Sequence, residues 1–152
     1  MPFIADAMLG KLTRWLRILG FDTIYEPDLS DDALILRAKE EARTLLTRDV
    51  PLHKKASREG VSSFLFREKT NLALLKEASP LLTDPSPGSR CPICNSLLAP
   101  KPTGATGLSV AEVEGHSWLC PSCGKLYWHG SHWKGIRRTL ILAGLGGQIG
   151  DS

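Results

Sequence analysis

The sequence predicts an α/β fold in which helices flank a parallel sheet, followed by a small cysteine-rich unit. Two observations carry this prediction. Short apolar runs alternate with helical stripes through the first 82 residues, in the order strand, helix, strand. A segment rich in proline, glycine and serine then precedes two Cys-x-x-Cys pairs, which hold all four cysteines of the chain.

Length and composition indicate one domain with a small appendage. The chain has 152 residues, of which 42% are hydrophobic and 23% charged, enough for a real core. No apolar run approaches the roughly 18 residues of a membrane span. The N-terminus lacks the basic and long apolar segments of a secretory signal. We therefore expect a cytoplasmic protein with no membrane association.

Charge is distributed unevenly along the chain, whose formal net charge is +3. Residues 1–89 carry thirteen basic and thirteen acidic side chains, whereas residues 90–138 carry six basic side chains against two acidic ones. A positive surplus confined to the second part is typical of a segment that binds a polyanion such as a nucleic acid.

The first strand is predicted over residues 2–6 and ends in Asp6. A helix follows, since apolar residues recur at helical spacing up to a glycine in the usual helix-ending position. Its polar face carries Lys11, Arg14 and Arg17. These side chains either form a solvated face or bind RNA, and Lys11, nearest Asp6, is placed to contact a phosphate.

A second strand over Thr23–Tyr25 leads into a second helix, which is predicted to run to about residue 42. Ser30 is a good N-cap, and acids in the first turn suit the helix dipole. Capping alone explains one of Asp31 and Asp32. Two acids beside the end of a strand favour a functional role for one of them.

The third strand lies within Arg43–Asp49. Thr44 to Leu46 are β-branched or aliphatic, a short run typical of a buried strand in a parallel sheet. Asp49 follows it, at the end where open α/β sheets place their ligands. The unit is completed by a helix from Val50, a strand over 62–66 and a helix over 71–78.

This order of elements implies right-handed crossovers between parallel strands. If strand one is central, strands two and three flank it. Asp6 and Asp49 would then lie on adjacent strand ends, with the start of the second helix close by. The sequence therefore predicts a crevice that gathers three carboxylates.

Composition divides the chain into four segments. Residues 83–89 contain two prolines and a glycine among small polar residues, which is typical of a linker. We predict an α/β domain over 1–82, a linker over 83–90, a zinc-binding and basic segment over 91–138, and a glycine-rich C-terminal tail over 139–152.

The zinc prediction rests on the spacing of the cysteines. Cys91 and Cys94 form one pair, Cys120 and Cys123 the other, and 25 residues separate the pairs. Four thiolates match a tetrahedral Zn²⁺ site and leave no open position, so the metal would be structural. Two disulfides are the alternative, which a cytosolic chain disfavours. Three histidines are surplus unless one replaces a cysteine: His116, His129 and His132.

Aromatic and basic residues interleave after the second cysteine pair. Aromatic rings stack on bases, and lysine and arginine neutralise phosphates, so the segment predicts RNA contacts. The alternative is that the tryptophans join the zinc unit to the sheet, and the two roles are compatible. The predicted RNA-binding side chains here are Trp128, His132, Trp133, Lys134, Arg137 and Arg138.

Several motifs occur together along the chain: Asp6 with Leu9-Gly10-Lys11-Leu12, Trp15-Leu16-Arg17, Ser30-Asp31-Asp32, Leu46-Thr47-Arg48-Asp49, the paired Cys-x-x-Cys, and Tyr127-Trp128 with Gly130-Ser131-His132-Trp133. In combination they resemble the Mut-seven C-terminal RNase family, over residues 3 to about 138. The resemblance implies a PIN-like, Rossmann-related nuclease domain with flanking helices and a small C-terminal zinc ribbon.

The resemblance also implies a metal-dependent ribonuclease, with structural Zn²⁺, catalytic Mg²⁺ or Mn²⁺, and RNA as the partner. The implied catalytic and metal-binding acids are Asp6, Asp31 and Asp49, with Asp32 as the alternative to Asp31. PIN nucleases often have a fourth acid after the fourth strand. This chain departs from that pattern and offers only Glu68 there.

The chemistry agrees with this implication. Phosphodiester cleavage needs an activated water and a stabilised leaving oxygen, which a hard divalent cation held by carboxylates supplies. Three aspartates in one crevice repel one another unless a cation is present. Lys11 or Arg48 would add charge at the scissile phosphate, although Arg48 could instead pair with a nearby acid. The rival function is a non-catalytic zinc-ribbon RNA-binding protein, whose acids only cap helices.

Overall fold

The protein is described by a computed structural model that covers residues 2–100, 117–128 and 131–145. Four parallel strands form a sheet in the order β2-β1-β3-β4, which confirms the predicted α/β fold with strand one between strands two and three. The strands are β1 Phe3–Ala5, β2 Thr23–Tyr25, β3 Thr44–Thr47 and β4 Ser63–Leu65.

Five helices are present in the described ranges: α1 Gly10–Ile18, α2 Asp31–Glu40, α3 Val50–Arg58, α4 Asn71–Ala78 and α5 Ser131–Leu142. A 3-10 turn, Ala7–Leu9, joins β1 to α1. Side-chain oxygens of Ser30, Asp49 and Thr70 accept backbone N–H groups in the first turns of α2, α3 and α4. These caps satisfy donors that a helix start would otherwise leave unpaired.

The sheet separates two apolar layers. Phe3 and Ala5 face one core with side chains of α1, α4 and α5, whereas Ile4 faces the other with side chains of α2 and α3. This alternation follows from the two-residue period of a strand. Burial on both faces explains why the strands are short, continuous apolar runs.

A second, antiparallel sheet follows the first unit. It consists of β5 Ala99–Pro100, β6 Ser117–Leu119 and β7 Leu126–Trp128, in that order. The cysteine pairs precede β5 and connect β6 to β7, as in a zinc ribbon. No helix in the described ranges has the length and hydropathy needed to cross a membrane.

Helix α5 corrects the predicted C-terminal tail. It runs across residue 138, where the tail was expected to begin, and continues to Leu142. Leu140, Ala143 and Leu145 are buried in the core formed with α1 and α4. Residues 139–145 are therefore part of the folded unit, because their leucines and alanine complete its apolar layer. Residues 146–152 lie outside the described ranges.

The predicted linker lies against the end of α1. The backbone N–H of Ser86 donates to Leu19 O at 2.8 Å, and that of Gly88 donates to Ile18 O at 3.0 Å. Gly20 makes this approach possible, since a Cβ there would lie 2.2 Å from Ser86 O. Its φ of +92° is also a conformation that side chains disfavour.

Gly20→Ala should destabilise the protein more than Gly60→Ala, which is a matched control. Both glycines have positive φ, but a Cβ at Gly60 meets no atom within 4 Å. We expect a loss of about 1–2 kcal/mol in unfolding free energy at Gly60. The added backbone clash should make the loss at Gly20 at least about twice that. Chemical denaturation measures both, and equal losses would mean that the linker does not pack on α1.

Candidate active site and zinc site

Asp6 and Asp49 lie at the carboxyl ends of neighbouring strands. Asp6 is 5% exposed and follows β1, while Asp49 follows β3 and caps α3. The Thr47 hydroxyl joins them, since it donates to Asp6 Oδ2 and accepts the Asp49 backbone N–H at 2.9 Å. The other Asp6 oxygen accepts the Met8 N–H at 2.9 Å. Asp6 is thus held in one orientation, with Asp49 next to it.

Asp49 keeps part of its carboxylate available. Its Oδ1 accepts the Leu52 N–H at 3.2 Å, while Oδ2 makes no hydrogen bond with any described residue. Arg48 precedes it, and its Nε is buried without an acceptor in the described structure. The expected alternative, an ion pair between Arg48 and a nearby acid, is not seen among the described residues.

The two acids at the start of α2 have different surroundings. Asp32 pairs with Lys55 of α3, although its side chain remains 79% exposed. The hydrogen bond to Asp32 is the main reason that the pKa of Lys55 is raised. Asp31 is exposed, and its carboxylate makes no hydrogen bond among the described residues. The alternative acid, Asp32, therefore forms an ion pair, whereas Asp31 forms none among the described residues.

The three aspartates share one edge of the sheet without closing into a cluster. Within the described ranges, one group of at least three potential ligands is close enough to hold an ion, and it consists of the four cysteines. Asp6, Asp31 and Asp49 do not gather in this way. The three-aspartate metal site stays a prediction.

A carboxylate that sequence reasoning missed lies at the end of β4. Glu77 reaches back from α4, and its oxygens accept the backbone N–H groups of Arg67 at 3.0 Å and Glu68 at 3.1 Å. The predicted fourth acid, Glu68, has its own side chain exposed. No local pattern marks Glu77, since a glutamate on a helix is usually solvated. Only the fold brings it to a strand end ten residues earlier in sequence.

The two cysteine pairs form matching knuckles. The N–H groups of Asn95 and Gly124 each donate at 2.9 Å to the carbonyl of the first cysteine, Cys91 or Cys120. Asn95 and Gly124 both have positive φ, at 71° and 77°. Asparagine and glycine tolerate this conformation best, so the residue after each second cysteine fits the turn.

The four sulfurs converge. Sγ distances are 3.7 Å between Cys91 and Cys123 and 3.3 Å between Cys94 and Cys120, and all four lie within 4.8 Å of one another. A tetrahedral Zn²⁺ with Zn–S bonds of about 2.3 Å spaces its ligands about 3.8 Å apart. None of the four cysteines forms a disulfide bond. They could therefore hold a metal ion such as zinc.

One of these thiols is already acidic. Hydrogen bonding to the side chain and backbone of Ser96 lowers the pKa of Cys94 to about 6. A thiolate is the form that binds metal. The surplus His116 and His129 lie outside the described ranges, as does the side chain of His132.

Comparison with known proteins supplies the family. The model of the Mut7-C RNAse domain matches residues 1–140. The chain belongs to this family. Searches of curated proteins and of solved structures gave no significant match. The resemblance expected from the motifs is thus confirmed over nearly the whole chain. The matched residues include both the acids and the cysteine knuckles.

In this Mut7-C chain the first knuckle docks on the sheet domain through Arg17. The guanidinium donates to Thr23 O at 2.9 Å, Pro92 O at 3.2 Å and Ile93 O at 3.0 Å. Arg17 was predicted either to form a solvated face or to bind RNA. The solvated face is wrong, because Arg17 is 7% exposed and its Nε and Nη1 groups donate to carbonyls. Arg17 also lines a cleft, and its contact with RNA stays a prediction. Burial lowers its pKa, and the nearby Cys94 and Cys91 thiols oppose that effect.

Asn95 forms the second contact between the knuckle and the sheet. Its side chain accepts the Thr23 N–H at 3.0 Å and donates to Asp22 Oδ1 at 2.7 Å. Arg43 also binds Asp22, at 2.9 and 3.2 Å. Burial alone would raise the pKa of Asp22, but the hydrogen bonds from Arg43 and Asn95 outweigh it and lower that pKa.

The remaining predicted RNA-binding residues of this Mut7-C chain form two basic surfaces. Lys11 and Arg14 are exposed on α1 and line a cleft against the first knuckle. A second cavity, of about 340 Å³, lies on α5 and is lined by Lys134, Arg137, Arg138, Ile141 and Leu142. The side chains of Trp128, His132 and Trp133 are not among those described, so their predicted contacts stay predictions.

Purified, reduced protein should contain close to one zinc per chain, because four convergent thiols bind one ion. Cys120→Ser should remove most of that zinc and destabilise the sheet β5–β7, since Cys120 is a buried member of the four-cysteine cluster. Elemental analysis measures the metal, and Ser122→Ala, in the same turn but outside the ligand set, is the control. A zinc content near zero in the parent protein would contradict the site.

Proposed function

We propose that this Mut7-C protein is a PIN-type ribonuclease that hydrolyses RNA phosphodiester bonds with Mg²⁺ or Mn²⁺ held by Asp6, Asp31 and Asp49. The observation that carries the proposal is the pairing of Asp6 and Asp49 on adjacent strand ends through Thr47. Membership of an RNase domain family supports the reaction class. The cytoplasmic location expected from the sequence stays a prediction.

The donor set suits a hard cation. All three residues offer carboxylate oxygens, the ligands that Mg²⁺ and Mn²⁺ prefer. Asp31 and one oxygen of Asp49 have no hydrogen bond among the described residues, so they are available as ligands. When bound, the cation would make a water nucleophilic and stabilise the leaving oxygen. It would also offset the repulsion between the acids.

The protein's own side chains orient the reaction. Thr47 and the Met8 N–H hold Asp6 in place, so the strand end is preorganised. Arg48 directly precedes Asp49, and no described acid holds its guanidinium in an ion pair, so its charge is available to a phosphate. We therefore assign Arg48 to the substrate phosphate beside Asp49. Lys11, exposed on α1 five residues after Asp6, would add positive charge near the same phosphate.

Changing Asp6, Asp31 or Asp49 singly to Asn should lower RNA cleavage by about 100-fold or more, because metal catalysis contributes several kcal/mol. Asparagine keeps the shape and can still cap α3 at position 49, so folding should survive. Cleavage by the parent should need added Mg²⁺ or Mn²⁺. Metal should be withheld rather than chelated, since a chelator would also strip the zinc.

Asp32→Asn is the matched control, because it removes one charge from the neighbouring position and loses only an exposed ion pair. If Asp32→Asn is inactive and Asp31→Asn is normal, the third acid is Asp32. If all four variants match the parent and added metal has no effect, the protein is not this nuclease. The zinc-ribbon RNA-binding protein would then be the better account.

We further propose that α5 binds RNA phosphates through Lys134, Arg137 and Arg138. The triple change to Gln should weaken RNA binding and reduce the salt dependence of affinity, by about 0.7 in slope for each lost phosphate contact on a single strand. Changing Lys39, Lys54 and Arg58 to Gln removes the same charge from α2 and α3. If both triple variants weaken RNA binding equally, the effect comes from net charge and not from a binding surface on α5.

A further inference from the structure

We propose that the cleft between α1 and the first cysteine knuckle receives single-stranded RNA next to the acidic strand ends. This inference rests on the proposed ribonuclease function and names the path by which the strand reaches Asp6. It gives the zinc knuckle a second role, as one wall of the substrate site.

The cleft has the size of a nucleotide site. Its volume is about 410 Å³, and its lining includes Lys11, Arg14, Tyr25, Pro92 and Ile93. Small-molecule sites typically enclose about 300–1,000 Å³. A cleft of this size accepts one nucleotide of a single strand and is too small for a duplex, so it favours unpaired RNA.

The two walls of the cleft are fixed to each other. Arg17 also lines the cleft, and it donates to the carbonyls of Pro92 and Ile93, the two residues between the cysteines. Asn95 ties the end of the same knuckle to Thr23. Since the binding surface is formed before RNA arrives, little ordering cost opposes binding.

The charge on α1 faces this cleft. Lys11 and Arg14 are exposed, and within the described ranges neither forms a hydrogen bond or an ion pair. Arg17, one turn further, uses its Nε and Nη1 groups to bond three carbonyl groups. The two remaining cations are therefore available to phosphates, and they lie three residues apart on one helix face.

Tyr25 connects the cleft to the acids. Its hydroxyl donates to Ala7 O at 2.8 Å, and Ala7 follows Asp6 directly. Gly10 allows this approach, since a Cβ there would lie 2.8 Å from the Tyr25 hydroxyl. The tyrosine ring and Ile93, which is 45% exposed, give the cleft apolar surface for a base beside the cations for the phosphates.

The test is fluorescence anisotropy with a labelled single-stranded RNA, in an Asp49→Asn background that prevents cleavage. The Lys11→Gln, Arg14→Gln double variant should bind about tenfold or more weakly, and its salt slope should fall by about 1.4, the value for two phosphate contacts. Ile93→Ser should weaken binding by about threefold or more without changing the slope, because it removes only apolar surface. Thermal melting confirms that each variant folds.

The Lys54→Gln, Arg58→Gln double variant is the matched control, since it removes one lysine and one arginine from the exposed face of α3. Equal losses from the two doubles, or an equal effect on binding of a duplex of the same RNA, would overturn the cleft assignment. The proposed function is tested separately, by measuring RNA cleavage with protein that retains Asp49. A parent that binds through Lys11 and Arg14 but never cleaves would support the cleft and contradict the nuclease.

Discussion

The buried guanidinium of Arg17 is the contact on which the relation between the two parts of the chain depends. It lies on α1, yet it donates to one carbonyl of β2 and to two carbonyls of the first knuckle. Each of those carbonyls would otherwise lose its water without gaining a partner, which is costly in a buried position. Replacing the arginine by a shorter cation would leave some of them unpaired, because no other side chain presents a planar fork of five donors.

Arg17 also fits the charge of the knuckles. Four thiolates around one Zn²⁺ carry a net charge of −2, so a zinc-loaded site would favour a buried cation beside Cys91 and Cys94. The same contact holds Pro92 and Ile93 against α1, and that arrangement creates the cleft. If the cysteines hold zinc, Arg17 links metal binding to the docking of the knuckle and to the shape of the cleft. Loss of zinc would then weaken the packing of the knuckle on α1 as well as the small sheet.

The sequence predicted the sheet well because its signals are local. Thr44 to Leu46 must be buried on both faces, and Ser30 and Asp49 cap the helices that follow them. Asp6 and Asp49 could be placed on adjacent strand ends because crossover handedness leaves few topologies. The cysteine spacing likewise predicted the convergence of four sulfurs, since each knuckle needs only its own turn. The burial of Arg17 was not predicted because two of its three acceptors, in Pro92 and Ile93, lie 75 and 76 residues away in the chain. Its spacing from Arg14 is that of an ordinary solvated face. Helix α5 was not predicted, because its sequence indicated a basic and aromatic segment followed by a tail, and its apolar residues are buried only against α1 and α4.

The neutral balance of residues 1–89 hides a separation of charge that only the fold reveals. Four of its basic residues are committed to internal acceptors: Arg17, Arg37, Arg43 and Lys55. Their acidic partners, Glu26, Glu41, Asp22 and Asp32, are neutralised in the same way. Asp6, Asp31 and Asp49 form no such ion pair among the described residues, and neither do Lys11 and Arg14 on α1. Under the proposed function, a divalent ion would offset the charge of these acids and RNA phosphates would offset the charge of these bases. A net charge counted along the sequence pointed to the second part of the chain alone, whereas the structure also leaves Lys11 and Arg14 of the first part exposed on α1.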